Sequence, residues 1–310
     1  MSKVSFVIPC YRSEKTLESV IDEIRETMRG LTEYTYDIVL VNDASPDGTW
    51  NVIRRLTGSV ENIIGINLSR NFGQHAALMA GYSYTDGDIV VSLDDDGQTP
   101  ADEVGKLLKK IEEGSDVVYA KYTHKQHSGF RNLGSRINEL MTRVMLGKPK
   151  ELYVSSYFAA RRFIIDEILR YRQSYPYVIG LVLRSTSNIS NVEVTHRART
   201  VGSSGYTFGK LMGLWMNGFT AFSIKPLRIA TAIGFVSTVI SLIYGIYTIV
   251  KKFVRPDVPI GFSALVCIIL FVGGVMMIMQ GMIGEYLGRT YMSVNETPQF
   301  VIREITGAKW

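Results

Sequence analysis

Two long stretches near the carboxyl end of the chain contain no charged residue. They run from Ile229 to Val250, 22 residues, and from Val258 to Gly284, 27 residues. A helix rises about 1.5 Å per residue, so the shorter stretch alone spans roughly 33 Å, enough for the hydrocarbon core of a bilayer. Buried helices of a soluble core are the alternative, but such helices rarely lack charge over this length. We therefore predict two transmembrane helices, at about 229–250 and 260–284, within a segment 227–287.

The amino terminus does not have the pattern of a secretory signal. Its apolar run, Val4 to Cys10, is short, contains Pro9 and is followed by no small-residue cleavage pattern. We therefore expect the residues before the spans, and the tail 288–310 after them, to lie in the cytosol. The positive-inside count leaves this open, because the loop between the spans also carries basic residues. The predicted location is the plasma or inner membrane, with a multi-pass topology.

Up to about residue 120, short apolar runs alternate with amphipathic ones. We predict helices over 14–29 and 49–56, after Gln74 and after Thr99. The predicted strands are "VSFVIP", "DIVLVN", "IIGINL", "DIVVSL" and "DVVYA". Strands that alternate with helices of this length imply right-handed crossovers and a mostly parallel sheet with both faces covered. The predicted fold class is α/β, with a Rossmann-like domain over residues 1–205.

Three of the predicted strands end in polar residues, in the stretches "PCYRSE", "NDASPDGT" and "DDDGQTP". Ligands of parallel sheets bind beyond the carboxyl ends of the strands, so these stretches predict a site. In the third stretch Thr99 can cap the following helix, and Asp102 and Glu103 suit its first turn. Those two acidic residues are thus explained as structural, whereas the three aspartates before the cap are not.

The triplet Asp94, Asp95 and Asp96 predicts a cation site. In a strand-to-loop turn Asp94 and Asp96 point to the same side and Asp95 to the other. Hard oxygen ligands beside open positions suit Mg²⁺ or Mn²⁺ holding a diphosphate. Carboxylates this close repel one another, and a bound cation removes that repulsion.

Several motifs occur in an order that resembles a known family. They are "VIPCYRSE", "VNDASPDGT", "SRNFGQHAALMAG", "DDDGQTP", "IKPLR" and "IGEYLGRTY", and they extend over nearly the whole chain. Together they resemble the family 2 glycosyltransferases with a GT-A fold, and more narrowly the polyprenyl-phosphate glycosyltransferases. The resemblance implies an inverting enzyme that moves a sugar from a nucleotide-sugar donor, expected to be a UDP-sugar, to polyprenyl (undecaprenyl) phosphate. It also implies Mg²⁺ or Mn²⁺ as cofactor and a cytosolic catalytic domain.

The resemblance assigns roles to individual residues. Nucleotide contacts fall on Pro9, Tyr11, Glu14, Asp43, Arg70, Asn71, Asp94 and Asp95. The metal falls on Asp94, Asp96 and Gln98, and the catalytic residues would be Asp94, Asp96 and Arg131. Tyr11 and Glu14 can instead be helix-entry residues, since Ser13 can cap. Relatives usually carry a small or apolar residue where this chain has Asp95 and Gly97, which suggests a subgroup.

The acceptor phosphate would be held by a basic group of residues. The resemblance assigns it to Arg131, Ser135 and Arg136, and we add Arg199, which could take over a phosphate contact or be an interfacial charge. A guanidinium suits a phosphate because it offers a charged bidentate fork, although arginines on a solvated helix are common. His124 and His127 have no matching metal-ligand partners in the sequence, so we interpret them as loop residues.

Two departures from the family pattern concern the chemistry. Relatives usually show an aspartate, proposed as a catalytic base, where this chain reads "ELYVSSYFAARR". Ser155 and Ser156 occupy that region, and Glu151 is the closest carboxylate. Relatives also read Gly-Glu-Ser-Lys-Tyr where this chain has "GSSGY", which places Gly205 at the lysine position. A lipid phosphate is already ionised near neutral pH, so its attack needs no strong base.

Other features bear on partners and alternatives. Apolar residues recur at helical spacing over 206–226, which suits interfacial helices, with core helices as the alternative. The pattern "GEYLG" is compatible with a homo-oligomer, and we expect no nucleic-acid partner. A processive polysaccharide synthase would need a Gln-x-x-Arg-Trp element, which the sequence lacks. An inactive membrane scaffold is the remaining alternative.

Overall fold

The computed structural model describes residues 1–122, 148–195, 225–254 and 261–307. The chain forms two compact units. The first comprises Met1–Met212 together with Glu296–Trp310, and the second comprises Gly213–Asn295.

The first unit is built on an eight-stranded sheet. Its strands are β1 (Ser2–Cys10), β2 (Tyr34–Asn42), β3 (Ile63–Leu68), β4 (Ile89–Ser92), β5 (Val117–Tyr122), β6 (Phe158–Arg161), β7 (Ile189–Val194) and β8 (Ile302–Gly307). They lie in the order β7-β5-β6-β4-β1-β2-β3-β8. Strands β1 to β4 are parallel to their neighbours within that group, as are β5 and β7, whereas β6 and β8 run antiparallel to theirs. The predicted α/β class with a mostly parallel sheet is confirmed.

Helices pack on the sheet through one apolar face. They are α1 (Leu17–Gly30), α2 (Thr49–Ser59), α3 (Gln74–Tyr82), α4 (Val104–Glu112), α5 (Arg162–Leu169) and α6 (Val178–Ser185). In α1, Leu17, Ile21, Ile24 and Met28 are buried at the spacing of an amphipathic helix. Helix α3 is different, because its residues from 76 to 82 are all buried and most of them are small.

The start of α4 differs from the prediction. A short 3₁₀ turn, Ala101–Glu103, precedes the helix, and no side chain caps either element. Thr99 is buried and does not cap the helix. Glu103 instead accepts a hydrogen bond from the Thr195 amide at 3.0 Å and forms an ion pair with Lys106. The sequence could not reveal this, since Thr195 lies in the loop after β7, far along the chain.

The parallel register brings the ends of four strands to one edge of the sheet. Cys10 of β1 pairs with Asn42 of β2, and Asn42 pairs with Asn67 of β3. The Asn42 amide donates to the Asn67 side chain at 2.9 Å, which ties these two strand ends together. On the other side, Val7 pairs with Ser92, the last residue of β4. The loops after β1, β2, β3 and β4 therefore meet at this edge.

The carboxyl-terminal tail, predicted only as a cytosolic segment, contributes a strand to the sheet. β8 lies antiparallel to β3, and the Ser69 amide donates to the Val301 carbonyl at 2.8 Å. The hydroxyls of Thr57 and Thr306 lie 3.2 Å apart, so the tail also contacts α2. The sequence analysis did not predict this strand.

The second unit contains helices α7 (Lys225–Val254) and α8 (Phe262–Val294). The first predicted transmembrane stretch, 229–250, falls within α7, and the second, 260–284, falls within α8 from residue 262 onward. Across the described ranges, we find no helix that combines the length and the apolar character needed to cross a membrane. The two predicted spans are therefore not confirmed. The predicted interfacial segment 206–226 lies outside the described residues, except for its last two, which begin α7.

Candidate functional site

A cavity of about 320 Å³ opens where the loops after β1 to β4 meet. Its walls contain six of the residues assigned to the nucleotide and the whole acidic triplet. The lining residues are Pro9, Cys10, Tyr11, Asp43, Asn71, Gly73, Gln74, Asp94, Asp95 and Asp96. A larger cavity of about 680 Å³ lies along α5 and α6 but contains none of the predicted site residues. The predicted alignment of polar strand ends thus forms one concave site.

Asp94 is held on both sides by polar side chains. The Gln74 amide donates to one carboxylate oxygen at 2.9 Å, and the Ser156 hydroxyl donates to the other. The pKa of Asp94 is raised to about 6, chiefly by burial; the hydrogen bonds from Ser156 and Gln74 oppose the rise, and the nearby charges of Asp95 and Asp96 add to it. Asp94 is therefore a carboxylate whose negative charge lacks a described cationic partner.

Asp95 points toward the first loop. Its Oδ2 accepts a hydrogen bond from the Tyr11 amide at 2.9 Å and another from the Ser13 hydroxyl. Its backbone carbonyl accepts a third from the Thr16 hydroxyl at 2.6 Å. Burial raises the pKa of Asp95, and these hydrogen bonds oppose the rise. Ser13 therefore bonds to Asp95, and the predicted cap of α1 by this side chain is wrong, because no side chain caps that helix.

Asp96 and Gln98 form the far side of the acidic loop. Asp96 Oδ1 accepts a hydrogen bond from the backbone amide of Gln98 at 3.0 Å. Gly97 between them has a φ of +72°, in the region that favours glycine. Asp96 lines the cavity, whereas Gln98 is not among its lining residues. Gln98 therefore remains a predicted metal ligand without support from the cavity.

The donor set fits Mg²⁺ or Mn²⁺. Within the ranges that the structure describes, no group of three histidine, cysteine, aspartate or glutamate side chains converges as a ready-made cage. Mg²⁺ does not need such a cage, because it is commonly held by one or two carboxylates together with substrate phosphates and water. Asp94 and Asp96 line the same cavity, and burial together with the neighbouring negative charges disfavours the ionised form of Asp94, which a bound cation would stabilise.

Asp43 organises the loop that follows β3. Its two carboxylate oxygens accept hydrogen bonds from the amides of Phe72 and Gly73 at 2.7 and 2.8 Å. Gly73 has a φ of +91°, which only glycine adopts readily, and its neighbour Gln74 begins α3. The Asn71 amide donates to the Asp43 carbonyl at 3.3 Å. Asp43 lines the cavity, but its carboxylate is already used by the backbone.

Of the remaining residues singled out in the sequence, two are not part of the cavity wall and six lie outside the described residues. Arg70 lies over the Phe72 ring, with its guanidinium carbon 4.7 Å from the ring centre, and Arg70 is not part of the cavity wall. Glu14 accepts a hydrogen bond from the Gly48 amide at 3.1 Å and is likewise not part of that wall. Neither placement supports a nucleotide contact. The four acceptor-phosphate residues, Arg131, Ser135, Arg136 and Arg199, lie outside the described residues, as do His124 and His127.

In the segment that lacks the expected aspartate, both serines donate hydrogen bonds within the protein. Ser155 donates to the carbonyls of Ala120 and Tyr157, each at 2.8 Å. Ser156 donates to Asp94. Glu151 lines a separate cavity of about 360 Å³ and does not line the cavity of the triplet. The structure therefore brings no substitute base from this segment to the acidic cavity.

Sequence reasoning missed Gln74 and Ser156 as partners of Asp94. Gln74 follows a glycine at a helix start on the edge where ligands bind, which was a usable signal. Ser156 lies just before β6, 62 residues from Asp94 in sequence, and reaches it because β6 pairs antiparallel with β4 and Ser92 lies opposite Phe158. No local pattern predicts that pairing.

Comparison with protein families gives two matches that together extend over most of the chain. A model described as glycosyl transferase family 2 matches residues 5–169. A second, described as the GtrB C-terminal hairpin, matches residues 225–290. The first match contains the acidic cavity, and the second contains most of α7 and α8.

Comparison with individual proteins gives similarity along the full length. The undecaprenyl-phosphate 4-deoxy-4-formamido-L-arabinose transferase of Proteus mirabilis (strain HI4320) is 32% identical over 312 residues, which cover 100% of this chain and 95% of that protein. The enzyme of the same name from Serratia proteamaculans (strain 568) is 32% identical, covering 99% and 95%.

Among solved structures, glucosyl-3-phosphoglycerate synthase of Mycobacterium tuberculosis in complex with Mn²⁺ and UDP-glucose matches with a TM-score of 0.51. The sequences are 21% identical, and the match covers 75% of this chain and 78% of that one. At this identity the match shows the shared fold alone.

Proposed function

The chain belongs to glycosyl transferase family 2, and from this we propose that it transfers a sugar from a nucleotide-sugar donor to the phosphate of a polyprenyl lipid, undecaprenyl phosphate. The family resemblance inferred from the motifs is confirmed. The observation that carries the proposal is similarity over the entire chain to undecaprenyl-phosphate sugar transferases. The acidic cavity at the carboxyl edge of the sheet agrees with it.

We propose a UDP-sugar as the donor and Mg²⁺ or Mn²⁺ as the cofactor. The structural neighbour of the same fold was crystallised with Mn²⁺ and UDP-glucose, which supports both choices. Asp94 and Asp96 would hold the cation, and Gln98 is a further candidate. When bound, the cation would neutralise the charge of the departing diphosphate and orient it.

The residues of the chain position the reactants around this site. Gln74 and Ser156 fix the orientation of the Asp94 carboxylate from both sides. A lipid phosphate oxygen attacks the anomeric carbon as the bond from that carbon to the diphosphate oxygen breaks, and the nucleoside diphosphate leaves with the electron pair. In-line displacement inverts the anomeric centre. The attacking oxygen is already ionised near neutral pH, so the reaction does not need a base from the 151–156 segment at the cavity.

We propose that the reaction occurs at the cytosolic face of the plasma or inner membrane, where the lipid phosphate lies. The uncharged stretches in α7 and α8 support membrane attachment, and so does the exposure of their large apolar side chains, 72% for Phe235 and 69% for Met277. That these helices cross the bilayer as two spans is part of the proposal. Arg131, Ser135, Arg136 and Arg199 remain the predicted contacts of the acceptor phosphate.

The test is transfer of sugar to lipid by the full-length protein in nanodiscs. Undecaprenyl phosphate, Mn²⁺ or Mg²⁺ and a panel of nucleotide sugars, UDP-sugars among them, would be supplied, and the lipid product would be weighed by mass spectrometry. We expect one product whose mass equals undecaprenyl phosphate plus one sugar residue. Asp96→Asn should abolish the product while the protein still folds. A wild-type protein that forms no product with any nucleotide sugar would instead favour the scaffold alternative.

A further inference from the structure

We propose that Asp95 is a positioning residue, which fixes the shape of the loop between β1 and α1 and thereby prepares the nucleotide site without contacting the donor. This inference rests on the proposed function for its consequence, but the contacts themselves do not depend on it. The sequence had assigned Asp95 to the nucleotide, as one of several acidic contacts. In the structure Asp95 lines the cavity, but its carboxylate Oδ2 is already bonded to the first loop, by the Tyr11 amide and the Ser13 hydroxyl.

All three hydrogen bonds that Asp95 accepts from outside its own loop come from the loop over residues 11–16. Two reach the same carboxylate oxygen, from the Tyr11 amide at 2.9 Å and from the Ser13 hydroxyl. The third reaches the backbone carbonyl, from the Thr16 hydroxyl at 2.6 Å. Asp95, in the acidic loop after β4, therefore bonds to three residues of the loop between β1 and α1.

The loop needs such a restraint because its backbone is strained. Arg12, between the two residues that bond to the Asp95 carboxylate, has a φ of +61°, in the left-handed region that a non-glycine residue seldom adopts. Its amide donates to the Ser45 hydroxyl at 2.8 Å, so a second loop holds the same turn. Without the Asp95 carboxylate, the turn would lose the bonds made by the Tyr11 amide and the Ser13 hydroxyl, and the Ser13 amide would keep only its bond to Thr49.

The restrained loop forms one wall of the cavity. Pro9, Cys10 and Tyr11 line it together with the three aspartates 94–96. Tyr11 is 44% exposed, and the Arg12 guanidinium carbon lies 5.6 Å from the centre of its ring. The position of this ring therefore follows from the turn at Arg12. A donor nucleotide that enters the cavity would meet a wall whose shape Asp95 determines.

The bonding geometry permits a sharp test, because both side-chain bonds use one oxygen. An asparagine at this position can present its carbonyl oxygen to the Tyr11 amide and the Ser13 hydroxyl, and it carries no charge. Asp95→Asn therefore preserves the positioning and removes the charge, whereas Asp95→Ala removes both. If Asp95 instead acted through its charge on the metal or the diphosphate, the two variants would be equally impaired.

The experiment measures the loop and the ligand separately in full-length protein. Hydrogen–deuterium exchange of peptides that contain residues 10–16 reports the loop without any donor. Binding of UDP in the presence of Mn²⁺ reports its consequence, and binding of Mn²⁺ alone reports the metal site. For Asp95→Ala we expect about tenfold faster exchange and about tenfold weaker UDP binding, the effect of losing a hydrogen bond to a charged group. With Mn²⁺ alone the two variants should bind equally, because both remove the charge that Asp95 places beside Asp94, and Asp95→Asn should stay within about threefold of wild type in exchange and UDP binding.

Ser13→Ala is a second, milder variant, which keeps the inference testable if Asp95→Ala fails to fold. It removes one bond and leaves the carboxylate in place, so exchange should rise by a smaller factor. The double variant should weaken UDP binding no more than Asp95→Ala alone, because both changes remove the same contact.

Unchanged loop exchange in Asp95→Ala would overturn the inference, as would faster exchange with unchanged UDP affinity. An Asp95→Asn variant as impaired as Asp95→Ala would also overturn it and indicate direct action of the charge. A wild-type protein that binds no UDP at all would count against the proposed donor, and the loop exchange would still decide the role of Asp95.

Discussion

The hydroxyl of Ser156 should control the pH at which the acidic site binds a cation. This hydroxyl donates to Asp94 and stabilises its ionised form, which opposes the effect of burial on the pKa. Ser156→Ala removes that donor. A hydrogen bond to a charged group contributes roughly 1.5–3 kcal/mol, and one pKa unit corresponds to about 1.4 kcal/mol. Because Asp94 is only partly shielded from water, we take the lower end and expect the variant to raise its pKa from about 6 toward 7.

The sign of the effect follows from the charge of the ligand. A cation binds the carboxylate only after its proton has left, so a raised pKa weakens binding below the pKa and has no effect well above it. At pH 6 about half of wild-type Asp94 is ionised, against about a tenth in the variant. We therefore expect Mn²⁺ to bind about fivefold more weakly to Ser156→Ala at pH 6 and almost equally at pH 8.

Titration with Mn²⁺, followed by electron paramagnetic resonance of the free ion, measures this at each pH. Ser156→Thr retains the hydroxyl and should restore the wild-type profile. Ser155→Ala is the matched control, because the Ser155 hydroxyl donates to the carbonyls of Ala120 and Tyr157 and not to Asp94. Equal weakening at pH 6 and pH 8 would refute the reasoning, since damage to the fold has no reason to vanish at high pH.

Three further predictions concern the acceptor, the core and acid stability. Arg131→Ala should raise the KM for lipid phosphate several-fold more than the KM for the nucleotide sugar; equal changes in steady-state assays would remove the acceptor role. Gly81→Ala should lower the free energy of unfolding, measured with urea, by about 1–3 kcal/mol, because its Cβ would lie 2.3 Å from Val7 Cγ1. Gly58→Ala, with open space around it, should cause no loss. Burial lowers the pKa of His75 to about 4, so stability should fall as pH drops below the unfolded-state pKa of 6.5, by roughly 2 kcal/mol between pH 7 and 5. His75→Gln should remove that part of the pH dependence.

Much of the secondary structure of the first unit can be predicted from local sequence alone. A short, nearly continuous apolar run predicts β3 at its observed bounds, Ile63–Leu68, because parallel strands are buried on both faces. The helices α1 and α2 are predicted within a few residues of their bounds, because burial of one helix face imposes a period of 3.6. The carboxyl ends of parallel strands meet at one edge, so the polar residues after β1, β2 and β4 also predict where the site lies.

The tail shows where local pattern stops being informative. β8 pairs with β3 across more than 230 residues, and its exposed, mixed composition has no period that distinguishes it from a loop. The same limit applies to the loop after β1. Arg12 adopts a left-handed backbone that nothing in the sequence favours, since arginine has no preference for it.

The sequence by itself determined the α/β class, the location of the acidic site and the family resemblance, because each depends on residues that are neighbours along the chain. Only the tertiary structure decided what each carboxylate does. Asp94 receives hydrogen bonds from Gln74 and Ser156, and Asp95 holds the first loop. Three adjacent aspartates are identical in sequence terms, and they differ because side-chain direction alternates along the turn and each side meets a different strand or loop brought there by the sheet.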